Sequence, residues 1–182
     1  RWNGTFEMLK GETNLRKPID ELLRRIRDHF QGYTDLTISP GDYLAKPIDD
    51  VAWVAITDFC QFFEPFKEAT EIMSGSTYPT LGLVGPVFNS IYKYVVSAVG
   101  ARNGFRSHHT RQFATAVQTK LDDYATLVQS KHAMIAALLD PRSKPMMSSC
   151  GIDVDLAISA VRESYEDKYR TRYVLLLPFS LL

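Results

Sequence analysis

Only two cysteines, Cys60 and Cys150, occur in the 182 residues. They stand far apart and lack Cys-x-x-Cys or Cys/His zinc spacing, so neither a disulfide framework nor a structural zinc site is expected, and both read as unpaired reduced thiols. Charge of one sign is missing too: Lys and Arg number 21, and so do Asp and Glu. A balanced chain has no global attraction for phosphate backbones or anionic membranes, so any nucleic-acid contact must be local. Long apolar runs are absent. The longest, Val174 to Leu182, contains Pro178 and falls far below the ~20 residues of a membrane helix, so no membrane partner is expected and the run reads as a core edge laid bare by truncation. The chain starts with Arg1 and shows no basic and apolar leader, so it reads as an excised piece without a secretory signal. Tandem repeats and low-complexity tracts are also missing.

What is present is the composition of a folded domain, 45% hydrophobic and 23% charged, and an apolar spacing that is helical almost throughout. Asn3 or Thr5 can cap a short first helix that shows Phe6 and Leu9 on one face and breaks at Gly11. Ile19, Leu22, Leu23, Ile26 and Phe30 recur at three- and four-residue steps, with Pro18 in the first turn. Residues 32 to 46 have no helical period and form a loop with a brief extended piece near Leu36 to Ile38. The strongest stripe runs from Ile48 to Met73 through Val51, Val54, Ala55, Phe59, Phe62, Phe63, Phe66 and Ala69, with Pro65 expected to kink or divide it. Gly75 suits a left-handed cap, Pro79 starts the next helix, and Pro86 marks a second kink before Gly100. Further helices follow around Phe113 to Leu127, Lys131 to Leu139, and after Asp153 as far as Tyr169. The fold class is mainly α, a single-domain array of six or seven helices.

Few residues carry the pattern of a reactive site. His108 and His109 are adjacent and point apart on a helix, and Asp49/Asp50 and Asp122/Asp123 are consecutive rather than one turn apart, so solvation and capping explain them. Ser74 to Leu81 is rich in hydroxyls but lacks the glycine and lysine spacing of a phosphate loop, and reads as a connector between helices. Asp140 before Pro141 reads as a turn, with Arg142 and Lys144 as exposed cations. No catalytic group and no metal ligand emerges. Arg1 and Trp2 form the sharpest binding candidate, because an indole can stack on an unpaired base while the guanidinium meets phosphate; the alternative is an indole packed on the following helix.

Three strings, Arg1-Trp2-Asn3-Gly4-Thr5-Phe6-Glu7-Met8-Leu9, Ser74-Gly75-Ser76-Thr77-Tyr78-Pro79-Thr80-Leu81 and Leu138-Leu139-Asp140-Pro141-Arg142-Ser143-Lys144, stand in a set order. That order resembles the middle of hAT-superfamily transposases and their domesticated relatives, where an R-W-N-S-T-Y-x-M-L opening precedes S-G-S-x-Y-P-T and L-D-P-R-x-K. Gly4 stands where the family has serine. The resemblance implies residues 1–12 at the end of an RNase H-like region, 13–145 in a helical insertion, and 146–182 as a C-terminal helix and tail. It implies DNA as partner, through Arg1 and Trp2, and a nuclear location. The family's catalytic aspartates precede the first string and its glutamate follows the third in an S-E-R context. None of these segments is in this sequence, so no enzyme activity, metal or cofactor is expected of it. A rival expectation is a helical module, from a decayed or domesticated transposase, that binds protein through Phe59, Phe62, Phe63, Phe66 and the 174–182 tail. A small-molecule enzyme would require a concave pocket with convergent titratable groups.

Overall fold

The computed structural model describes residues 2–30, 48–100 and 104–170, and within helices the side chains of residues 2, 3, 27, 29, 30 and 169 are not described. Among the described residues the chain is helical throughout, with no strand. Its α-helices are α1 (Trp2–Asn14), α2 (Arg16–Phe30), α3 (Asp50–Met73), α4 (Val84–Val99), α5 (His108–Val128), α6 (Lys131–Leu139) and α7 (Val154–Tyr165). Short 3-10 turns at Leu81–Leu83, Lys144–Met146 and Ser148–Cys150, and a π-turn at Glu166–Arg170, complete the order. The expected extended piece near residue 37 and the 174–182 tail lie outside the described residues.

Several expected boundaries move, each for a local reason. Helix α1 does not break at Gly11 but runs on to Asn14, since glycine inside a helix costs only about 1 kcal/mol and the helix is anchored by Phe6, 2% exposed. Asn3 and Thr5 lie inside α1 rather than capping it. Helix α3 passes through Pro65 undivided. Pro86 sits at the third position of α4, where the backbone N–H would have no intrahelical partner, so it needs no kink. The last helix keeps α geometry to Tyr165 and continues as a π-helical turn to Arg170, so Tyr169 falls on it as expected. Three caps form as side-chain bonds among the described residues: the Asp49 carboxylate accepts from the Ala52 N–H at 2.7 Å, the Ser130 hydroxyl from the Ala133 N–H at 3.4 Å, and the Asp153 carboxylate from the Leu156 N–H at 3.0 Å.

The described chain divides into two compact units, residues 1–67 with 98–114, and residues 68–97 with 115–182. The first is built around Phe62, which is fully buried. Rings of Phe63, Phe66, Phe105 and Phe113 stand 5.4 to 6.0 Å from it, at interplanar angles from 36° to 84°. Tilted and edge-on rings at this spacing match the quadrupoles of aromatic pairs. Thr110 is buried in the same unit, and its hydroxyl has no hydrogen-bond partner among the described residues. Helix α2 is held by ion pairs along its exposed face: Glu21 meets both Arg24 and Arg25, and these bonds pull its carboxyl down to about 2.

The second unit centres on Ala137, Met147, Ile152 and Ala157, with Met134, Leu138, Cys150 and Val154 packed against them. Small residues on α6 and α7 let the two helices approach closely, and Lys131 pairs with Glu163 across them at 2.9 Å. Helix α6 also packs on the Leu81–Leu83 turn.

Two substitutions in the first unit should move stability in opposite directions. Phe62→Ala should cost about 3–5 kcal/mol through the cavity it leaves. Thr110→Val should raise stability by about 1 kcal/mol, because it removes a buried hydroxyl that has no partner while keeping its shape. Urea unfolding followed by circular dichroism reads both.

Candidate functional site

Arg1 lies outside the described residues, and Trp2 opens α1 with its side chain undescribed. In the remainder of the first string one residue, Phe6, is buried, while Gly4, Thr5, Glu7 and Met8 are exposed. Phe6 is buried against α3, with the Lys10 and Lys67 ammonium groups 5.6 and 5.9 Å from its ring centroid. Lys10 bonds Glu64 at 3.0 Å, and Lys67 bonds Glu7 at 2.8 Å. The Lys67 hydrogen bond holds the Glu7 carboxyl below its usual value.

The second and third strings meet each other within the second unit. Asp140 precedes a proline, which favours extended backbone, and its φ of −88° and ψ of 115° end α6. Its carboxylate takes the fork of the Arg142 guanidinium, Nε at 3.0 Å and Nη2 at 2.6 Å, and the Arg142 backbone N–H at 2.9 Å. Nη2 also donates to the Pro79 carbonyl at 2.7 Å, and the guanidinium lies 4.9 Å from the Tyr78 ring centroid. The Tyr78 hydroxyl donates to the Ile72 carbonyl at 2.9 Å. Arg142 was expected as a free surface cation; although its residue is exposed, its charged head is committed to a clasp.

Glycine and serine make the clasp close. Gly75 is not left-handed, unlike Gly104 and Gly151. A side chain there would overlap the Tyr78 ring, so the requirement is close approach rather than backbone conformation. At Gly82 an added Cβ would stand 2.8 Å from the Asp140 Cβ and 2.9 Å from the Ala136 carbonyl oxygen. Ser143 is fully buried, and its hydroxyl donates to the Ala137 carbonyl at 3.1 Å. Beside the clasp lies an apolar groove of about 420 Å³ between Leu81, Leu139 and Pro141.

The first unit holds a different kind of concavity, a polar cleft of about 360 Å³ lined by Arg16, Trp53, Thr57, Asp58, Gln61 and Arg106 among others. Trp53 is 2% exposed, and its indole N–H donates to Asp20 at 3.4 Å. Arg16 lies 5.5 Å from the Trp53 ring centroid and pairs with Asp20 at 3.8 Å and with Asp50. Its charge is thereby answered twice. Asp58 is 6% exposed, and one carboxylate oxygen accepts the Ser107 backbone N–H at 2.6 Å. Arg106 is exposed and has no ion-pair partner among the described residues.

Sequence reasoning passed over Arg16, Asp58 and Arg106. A signal for one of them existed: Asp58 falls between Val54 and Phe62 on the apolar stripe of α3, and an acid at a core position asks for a partner. Nothing in the spacing joins residue 106 to residue 58. Among the described residues no three His, Cys, Asp or Glu side chains converge as a metal site. His108 and His109 lie with ring centroids 5.6 Å apart. Burial raises the Cys60 thiol, which makes it a poorer nucleophile at neutral pH.

No protein-family model matches the chain, and no curated protein or solved structure is significantly similar to it. The clasp itself has a testable acid limit. Hydrogen bonds from Arg142 hold Asp140 below its ordinary value of 3.8, so the stability this carboxylate supplies is complete above that pH and is lost as pH falls through the depressed value. Arg142→Gln should lower the melting temperature at neutral pH by a few degrees. It should also flatten the dependence of melting temperature on pH below 3.8, as followed by circular dichroism.

Proposed function

We propose that this chain is the helical scaffold of a hAT transposase-like DNA-binding protein, a non-catalytic stretch that meets DNA through Arg1 and Trp2. One observation supports the reading above the others: two of the three resembling strings, more than 50 residues apart in sequence, close on one another through Arg142, which donates to the Pro79 carbonyl and lies over the Tyr78 ring. Their contact gives the second and third strings a packing role that needs no catalytic residue. The same reading puts the protein in the nucleus and makes the remaining transposase segments its natural protein partners. Among the described residues no helix is long and apolar enough to cross a membrane.

A helical protein-interaction module, from a decayed or domesticated transposase, is the second reading. Its phenylalanine support is reduced, because Phe62 is buried and Phe59, Phe63 and Phe66 are half-buried against other rings of the first unit. The observation that favours it is instead the groove beside the clasp, where Leu139 is 68% and Leu81 50% exposed.

Binding to a DNA hairpin with unpaired terminal bases, measured across a salt series beside Trp2→Ala, tests the DNA reading. Affinity should fall steeply with salt, and Trp2→Ala should weaken it about tenfold or more at low salt, the loss of one stacked base. Circular dichroism of the variant checks that α1 is intact. No binding at low salt would overturn the DNA role and leave the interaction module.

A further inference from the structure

We propose that the polar cleft of the first unit binds a small zwitterion of the α-amino-acid type, its ammonium on Asp58 and its carboxylate on Arg106. The Asp58 side chain is nearly all buried on α3, yet it is answered by only one backbone N–H, that of Ser107. A carboxylate has about four acceptor positions, and a buried one short of donors loses hydration that is not replaced. Its second oxygen has no hydrogen-bond partner among the described residues and is not sealed from solvent, since Thr110 Oγ1 is the one described buried side-chain atom left unsatisfied. Asp58 is also one of the residues that line the cleft.

Arg106 lines the same cleft and lacks an ion-pair partner among the described residues. Opposite charges thus border one concavity without joining into an ion pair. A ligand with an ammonium and a carboxylate on one carbon can bridge such groups, giving each a charge-assisted hydrogen bond. The charge balance selects the same class. Arg16 is compensated by Asp20 and Asp50, so Asp58 and Arg106 are left with equal and opposite charges, complementary to a ligand of zero net charge. A simple anion would satisfy Arg106 and worsen the position of Asp58; a simple cation would do the reverse. Thr57 and Gln61 add polar groups to the wall, and about 360 Å³ is the lower end of the range for small-ligand pockets. The Arg16 guanidinium lies 5.5 Å from the Trp53 ring centroid on the same wall.

The test is a titration of the isotope-labelled full chain with individual free L-amino acids, following the Ser107 amide and the Trp53 indole N–H by NMR. N-acetylglycine and glycinamide, each lacking one of the two charges, serve as controls beside glycine. At least one free amino acid should give saturable shifts at both probes with a Kd of about 1 mM or tighter. Removing either charge from the ligand should weaken binding about tenfold or more. Arg106→Gln, an exposed substitution that leaves Phe62 packing intact, should weaken it as much without changing the melting temperature. No saturable shift with any amino acid would overturn the proposal. So would equal binding of N-acetylglycine or glycinamide, which would make the cleft a site for a single charge.

Discussion

The second unit is closed by one guanidinium. Arg142 reaches from the turn after α6 to the Pro79 carbonyl and the Tyr78 ring, and its fork holds the carboxylate that ends α6. Planar geometry matters here: a lysine ammonium has no fork to offer a carboxylate and a carbonyl together. The surrounding sequence lets these groups meet. Glycine at 75 leaves room for the tyrosine ring, glycine at 82 leaves room for Asp140, and buried Ser143 answers the Ala137 carbonyl at the end of α6. With the clasp in place, the Leu81–Leu83 turn rests on α6, and α6 on α7, over a core that mixes two alanines with Met147 and Ile152.

The first unit relies on a different principle. Its centre is one phenylalanine ringed by others, a large apolar area with little polar specification. Polar detail enters at the edge, where Phe6 is flanked by two ammonium groups and where Asp58 receives the chain just before α5. Buried polar groups of this kind destabilise unless satisfied, so Asp58 is either a fixed connector for Ser107 or a connector with further capacity toward the cleft. The transposase-like reading draws on the second unit's clasp, whereas the ligand reading draws on the first unit's cleft; each can fail without the other.

Helical content was legible because apolar residues recur at three and four along α2, α3, α4, α5 and α7, while α6 shows only a short, nearly continuous apolar run. Boundaries were less legible where tertiary contacts outweighed local preference. Gly11 signals a break, yet the buried Phe6 ring carries α1 past it. Gly75 signals a left-handed cap, yet its reason is the nearby Tyr78 ring, which no local rule contains. Pro86 signals a kink, yet α4 begins only at Val84. Arg142 had the look of a solvent cation because its partner, the Pro79 carbonyl, is distant in sequence and is a backbone atom without side-chain identity. The cleft was illegible for the same reason, save for the acid on the α3 stripe.

The Tyr78 and Arg142 strings act as one structural element. A double-mutant cycle with Tyr78→Leu, Arg142→Ala and the double variant, followed by thermal unfolding, measures it most directly. The account predicts that the double variant loses clearly less stability than the sum of the two single losses, because either change alone already opens the clasp. Additive losses would mean that the two strings stabilise the fold independently, and would contradict the account.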